Sequence, residues 1–124
     1  MTATVDTLKR RADFLRAARG RKAVRPTLVL QAAPKDAADA ARFGYTATRK
    51  LGGAVVRNRV KRRLREAVRR VAADCIPAGR DYVLIGRATT SRAPFAEIVA
   101  DLRAALNTVA APSKRQEPKK AVQP

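Results

Sequence analysis

Residues 54–73 read AVVRNRVKRRLREAVRRVAA, and the fold follows from what such a segment must do with its two kinds of side chain. Wound at about 100° per residue, Val56, Val60, Leu64, Ala67, Val68 and Val71 gather into one stripe, as in a helix that packs one face on a core. Beside that stripe run Arg57, Lys61 and Arg65 at four-residue intervals, with Asn58, Arg62 and Arg69 next to them. Arg59, Arg63 and Arg70 occupy the far side, where Glu66 is almost the only acid. Eight of the fourteen residues from Arg57 to Arg70 are basic. Like charges one turn apart oppose an isolated helix by roughly a few tenths of a kcal/mol per pair. Such a helix calls for a core on one side and a polyanion on the other. The cations beside the stripe are expected to line a cleft between helix and sheet, and those on the far side to meet a second nucleic acid surface.

Working outward, residues 42–49, RFGYTATR, set Phe43, Tyr45 and Ala47 against Arg42, Gly44, Thr46 and Thr48, the alternation of a strand. Gly52-Gly53 separates it from the helix. Residues 27–33, TLVLQAA, alternate in the same way, with Leu28 and Leu30 on one face and Val29 and Gln31 on the other. Residues 8–19 place Leu8, Phe14, Leu15 and Ala18 at rough helical spacing before Gly20, and another short strand fits around 20–25. Residues 34–41 are a connection. Downstream, residues 81–86, DYVLIG, form a nearly continuous apolar strand, and a last helix from about Pro94 aligns Phe95, Ile98, Val99, Leu102, Ala105, Leu106 and Val109. The order is helix, strand, strand, helix, strand, helix: an α+β sandwich in which about three helices pack on a small mixed sheet. Residues 8–110 are expected to form a single domain, between a flexible lead-in (1–7) and a basic tail (111–124) too poor in apolar groups to order itself.

Composition narrows the function. The 124 residues carry a formal net charge of +18, with 20 arginines among 28 basic residues. Self-repulsion of that size opposes a compact monomer unless a polyanion neutralises it, and guanidinium forks suit phosphate oxygens and stack on bases. Cys75 is the lone cysteine, which excludes an internal disulfide, suits a reducing cytoplasm and reads as a small buried hydrophobe. No apolar run approaches the roughly 20 residues needed to span a bilayer. There is no histidine, and the ten carboxylates are scattered, so no general acid–base or several-acid metal site is evident and no catalytic side chain is expected.

The stretch RKLGGAVVRNRVKR, residues 49–62, resembles the signature of the bacterial ribonuclease P protein family. Its marks are an Arg-Asn-Arg core, an aliphatic residue and Lys-Arg, preceded by a Lys-aliphatic-Gly turn and Ala-Val. A bare RNR triplet would mean nothing in so arginine-rich a chain; the extended pattern, after a strand and opening a helix, is specific. The resemblance covers roughly residues 8–109. It implies a fold like the second domain of ribosomal protein S5, with a left-handed βαβ crossover. It also implies an RNA-binding subunit in the cytoplasm that holds a large catalytic RNA and, in a central cleft, the 5′ leader of precursor tRNA. In that assembly the RNA performs the cut, with Mg²⁺ held mainly by RNA and substrate, and no protein oligomer is required. On matching positions the RNA-binding residues would be Arg57, Asn58, Arg59, Lys61, Arg62 and Arg65, with Phe14, Arg49, Lys50 and Arg69 near RNA. Ala18 and Gln31 stand where the family often has aromatics, which thins the stacking platform.

Two rival readings share the charge. A ribosomal or nucleoid protein would not need the Gly-turn and Arg-Asn-Arg arrangement. A basic amphipathic helix lying on an anionic membrane would want Trp or Phe on the apolar face of residues 54–73, and that stripe is already needed for the core.

Overall fold

The computed structural model describes residues 6–34, 40–72, 76 and 79–110. Five strands and three helices follow in the order β1 (Asp6–Thr7), α1 (Arg11–Ala18), β2 (Arg21–Val24), β3 (Leu28–Pro34), β4 (Arg42–Thr46), α2 (Ala54–Ala72), β5 (Arg80–Gly86) and α3 (Phe95–Ala110). Short 3-10 turns at Arg49–Leu51 and Ala88–Ser91 link them. The strands form one mixed sheet in the order β1-β4-β5-β3-β2. β4 runs parallel to both β1 and β5, while β3 is antiparallel to β5 and to β2. The expected α+β fold is therefore present, and α2 is the crossover between the parallel strands β4 and β5.

Three boundaries differ from the sequence reading, each for a local reason. The lead-in was expected to be loose, yet Asp6 and Thr7 pair with Arg42 and Phe43. Leu8 stays extended, its N–H donating to the Phe43 carbonyl at 2.9 Å, so α1 starts only at Arg11 rather than at residue 8. β4 stops at Thr46, short of residue 49, because the chain winds into a 3-10 turn ending on Gly52 at φ 138°, a backbone region that disfavours any side chain. Cys75, part of the 34–41 connection and the tail from residue 111 lie outside the described residues.

The sheet has two unequal faces. On one, Leu28 and Leu30 of β3, Phe43 of β4, and Tyr82 and Leu84 of β5 are fully buried under Val60 and Leu64 of α2 and Ile98 and Leu102 of α3. Phe43 stacks on Tyr82 with ring centroids 4.8 Å apart. Packing is tight enough that a Cβ on Gly86 would come within 2.2 Å of a Val60 methyl. On the other face a smaller cluster of Leu8, Ala17, Ala33 and Val83 sits with α1.

So little apolar area leaves α1 dependent on charge. Asp81, fully buried on β5, accepts from Arg16 of α1 and is gripped by both ends of the Arg42 fork, at 2.9 and 2.7 Å. Arg16 also donates to the Pro34 carbonyl at 2.7 Å, tying α1 to the end of β3. Asp81→Ala removes the shared acceptor. Both arginines can still turn partly to water, so the expected cost is about 2–3 kcal/mol, below that of breaking a fully buried pair. Denaturant unfolding measures it, and amide exchange in α1 should rise more than in α2.

Candidate nucleic-acid interface

The cations of α2 divide according to what their neighbours do with them. Along the flank beside β4, Arg65 lies over the Tyr45 ring, its guanidinium carbon 5.4 Å from the centroid, while Arg57 and Lys61 are half-buried on the same stripe. The Arg57 Nε is buried with no acceptor among the described residues. On the outward surface Asn58, Arg62 and Arg69 are exposed, and Arg69 pairs with Glu66 one turn back. Arg49 and Lys50 are exposed in the 3-10 turn that leads into the helix.

On the far side, two arginines also serve the fold. Arg59 donates through Nε to the Ser91 carbonyl at 3.1 Å, and Arg63 donates to the carbonyls of Ser91 at 3.0 Å and Ala93 at 2.6 Å. These two arginines hold the connection between β5 and α3. Burial, with Arg59 alongside, pulls the Arg63 guanidinium below its ordinary value.

Beneath α2, Val60, Leu64, Ala67, Val68 and Val71 are buried in the core, and Arg57 and Lys61 are half-buried at the margin of that contact. The open part of the sheet is on the α1 side. Strand register sets Val24, Val29, Ile85 and Thr46 in one row across β2, β3, β5 and β4, and Lys22, Gln31, Val83 and Gly44 in the next. Val24 is 57% exposed, and Val29, Ile85, Thr46 and Gln31 are half-buried. Phe14 of α1 walls this trough: a Cβ built on Gly44 would lie 2.5 Å from the end of its ring. Lys22 on β2 is exposed beside Gln31, and Ala18, one turn beyond Phe14, is exposed too. The sheet thus separates Phe14 from the α2 cations.

Sequence reasoning placed Val29 and Gln31 on one face but missed Val24, Thr46 and Ile85 as their neighbours. It also missed Tyr45 beneath Arg65. Alternation groups Tyr45 with Phe43 and Ala47 but does not say what covers them; the helix's rotation brings Arg65 onto it. Burial pushes the Tyr45 phenol up to about 12, against the opposing pull of Arg65 and Arg69.

Fold and surface define a class: a small, strongly basic α+β domain with a cation-studded helix on one face of its sheet and a half-open apolar trough on the other. The sequence model described as Ribonuclease P matches residues 3–110. The chain is 50% identical over 119 residues to the ribonuclease P protein component of Paramagnetospirillum magneticum, covering 92% of this chain and 90% of that one. It is 56% identical over 100 residues to that of Gluconacetobacter diazotrophicus, covering 80% and 86%. Among solved structures, the RNase P protein of Thermotoga maritima superposes with a TM-score of 0.68 at 32% identity, over 84% of this chain and 94% of that one. The Staphylococcus aureus protein does so with 0.69 at 26%, over 82% and 93%. The chain belongs to the ribonuclease P protein family.

Two outcomes test this surface. Gly44→Ala drives a methyl into the Phe14 ring, a side chain able to swing away, so single-stranded RNA binding should fall several-fold while the thermal midpoint moves little. Because the folded Tyr45 keeps its proton to a higher pH than an unfolded tyrosine, its contribution to stability is complete below pH 10 and is lost as pH rises toward 12. Tyr45→Phe should flatten that fall, as read from urea unfolding across this range.

Proposed function

We propose that this chain is the protein subunit of ribonuclease P, binding the catalytic RNA and the 5′ leader of precursor tRNA while the RNA removes the leader. One observation carries the reading: a cation-studded helix and a half-open apolar trough stand back to back on one sheet, and the two would suit different nucleic-acid segments. The α2 face presents closely spaced cations that suit the phosphates of a folded RNA. The opposite trough offers a largely apolar floor, one aromatic wall and Lys22 at its edge, which suits the bases of a single strand. At the trough Phe14 would stack on a base. Gln31, with its amide, would supply hydrogen bonds where an aromatic is often found. Arg49, Lys50, Arg57, Asn58, Arg59, Lys61, Arg62, Arg65 and Arg69 would contact RNA, mainly through its phosphates.

Chemistry is assigned to the partner RNA. Asp13, Asp81, Asp101 and Glu66 are each held by an arginine, and no three His, Cys, Asp or Glu side chains converge among the described residues. They do not fit a protein cage for Mg²⁺; in this reading the ion sits on RNA and substrate and supplies the hydrolytic chemistry there, while the protein binds and orients. No helix among the described residues is long and apolar enough to cross a membrane, and a cytoplasmic site of action is part of the proposal.

Reconstitution with ribonuclease P RNA at low Mg²⁺ tests it. The protein should restore cleavage of a precursor tRNA and cut nothing alone; cleavage by the purified chain, or no rescue, would overturn the reading. Binding to the catalytic RNA should weaken steeply with salt, with a log–log slope of about four to six for six or more phosphate contacts. A nearly flat slope, or capture of ribosomal RNA in preference to ribonuclease P RNA, would favour a ribosomal or nucleoid role.

A further inference from the structure

The outer surface of α2 is not evenly convex. An open hollow of about 440 Å³ lies among Arg62, Arg63, Arg65, Glu66 and Arg69, with Phe95 of α3 on its border. Three of its four arginines have a partner within the protein. Arg63 is anchored on the Ser91 and Ala93 carbonyls, and Arg69 on Glu66. The Arg65 guanidinium lies over the Tyr45 ring, 5.4 Å from its centroid, and Tyr45 is itself stacked with the Phe43 ring at 6.5 Å, as Phe43 is with Tyr82. A guanidinium plane with one face on an aromatic ring has its other face available for a second stacking partner. Phe95 packs against the core with part of its ring and remains half-exposed toward the hollow. Arg62 is exposed on the same surface.

We propose that this hollow is a recess for one unstacked nucleotide of a structured RNA. The base would enter between the Arg65 plane and the Phe95 ring, with Arg62 and Arg69 on its phosphates. The inference rests on the RNA-binding reading above and goes further, because it assigns roles to two residues outside the basic set. Phe95 is a contact residue, and Tyr45 is a positioning residue that acts through Arg65. A regular duplex would present only phosphates to α2 and would leave the hollow empty. A bulged or looped-out nucleotide brings a π-face that the Arg65–Tyr45 pair and Phe95 can use. Arg63, held by two carbonyls, and Arg65, over the Tyr45 ring, lose less freedom on binding than unrestrained arginines, which favours this spot over the rest of the helix.

The experiment uses the full chain and two probes, a short RNA duplex and the same duplex carrying one unpaired adenosine. The wild type should prefer the bulged duplex by about tenfold, the scale of one stacked base. Phe95→Leu and Arg65→Gln should each erase most of that preference, with affinity for the unbulged duplex reduced no more than the loss of one charge requires. Tyr45→Leu should erase it too while leaving affinity for the unbulged duplex nearly unchanged, which a merely structural role would not do, and Tyr45→Phe, which keeps the ring under Arg65, should retain it. Equal binding of the two duplexes by the wild type overturns the recess, as does a preference that survives Phe95→Leu combined with Arg65→Gln. A preference that vanishes in Phe14→Ala instead puts the unpaired base in the trough on the opposite face and also overturns it. Failure of both duplexes to bind at low salt is a separate result, and defeats the RNA-binding reading itself.

Discussion

The packing of Val60, Leu64, Val68 and Val71 of α2 on the Phe43, Tyr82 and Leu84 face of the sheet is the constraint from which the other features follow. Those side chains fix the helix's rotation to within a fraction of a turn. That rotation decides where each of eight closely spaced cations points. It lays Arg65 on Tyr45, turns Arg59 and Arg63 toward the Ser91 carbonyl, and leaves Asn58, Arg62 and Arg69 facing solvent. Burying an aliphatic side chain of this kind is worth about 1.5–3 kcal/mol. Like-charge repulsion along the helix costs only roughly a few tenths of a kcal/mol per pair, so packing prevails and the charges are carried along with it.

The two faces of the sheet are built to different standards. The α2–α3 face is sealed by apolar contact, with fully buried residues from three strands and two helices. The α1 face is half-covered, by a helix of eight residues with no side-chain N-cap, and it is held by the Arg16–Asp81–Arg42 cluster and a few apolar contacts. A longer or more apolar α1 would bury Val29, Ile85 and Thr46 and remove the trough. Directional charge-assisted bonds anchor one end of the sheet and leave the other end open, which a broad hydrophobic contact would not do. The same economy appears at the β3–α3 corner, where Asp101 accepts from both the backbone and the hydroxyl of Thr27.

A chain of net charge +18 tolerates its own field by giving its carboxylates to arginines at structural junctions. Asp81, Asp101, Asp13 and Glu66 each meet a guanidinium that lies where two elements join or where one helix turn needs fixing. The cations on the outer surface of α2, and Lys22 at the trough, have few acids near them, and their repulsion is what a phosphate-rich partner would relieve.

Much of this was legible from residues 54–73 and their flanks. The helix, its buried stripe, three strands and the last helix all rest on apolar periodicity, a local property that survives in a one-dimensional text. The Lys-aliphatic-Gly turn with Arg-Asn-Arg pointed to the ribonuclease P protein family for a similar reason, since a turn and the first helical residues are written consecutively. Register was not legible. Val24, Val29, Ile85 and Thr46 lie on four strands, and nothing in their spacing says that they form one row. Nor does arginine's place on a helical wheel say whether a carbonyl, an aromatic ring or water will receive it. By itself the sequence determined which elements form and how strongly the surface is charged, because backbone periodicity and charge are local sums. The tertiary structure alone decided that the sheet stays half-open beside α1, and that Arg59 and Arg63 reach the carbonyls of the β5–α3 connection, because both depend on which side chains fill the space between elements distant in the chain.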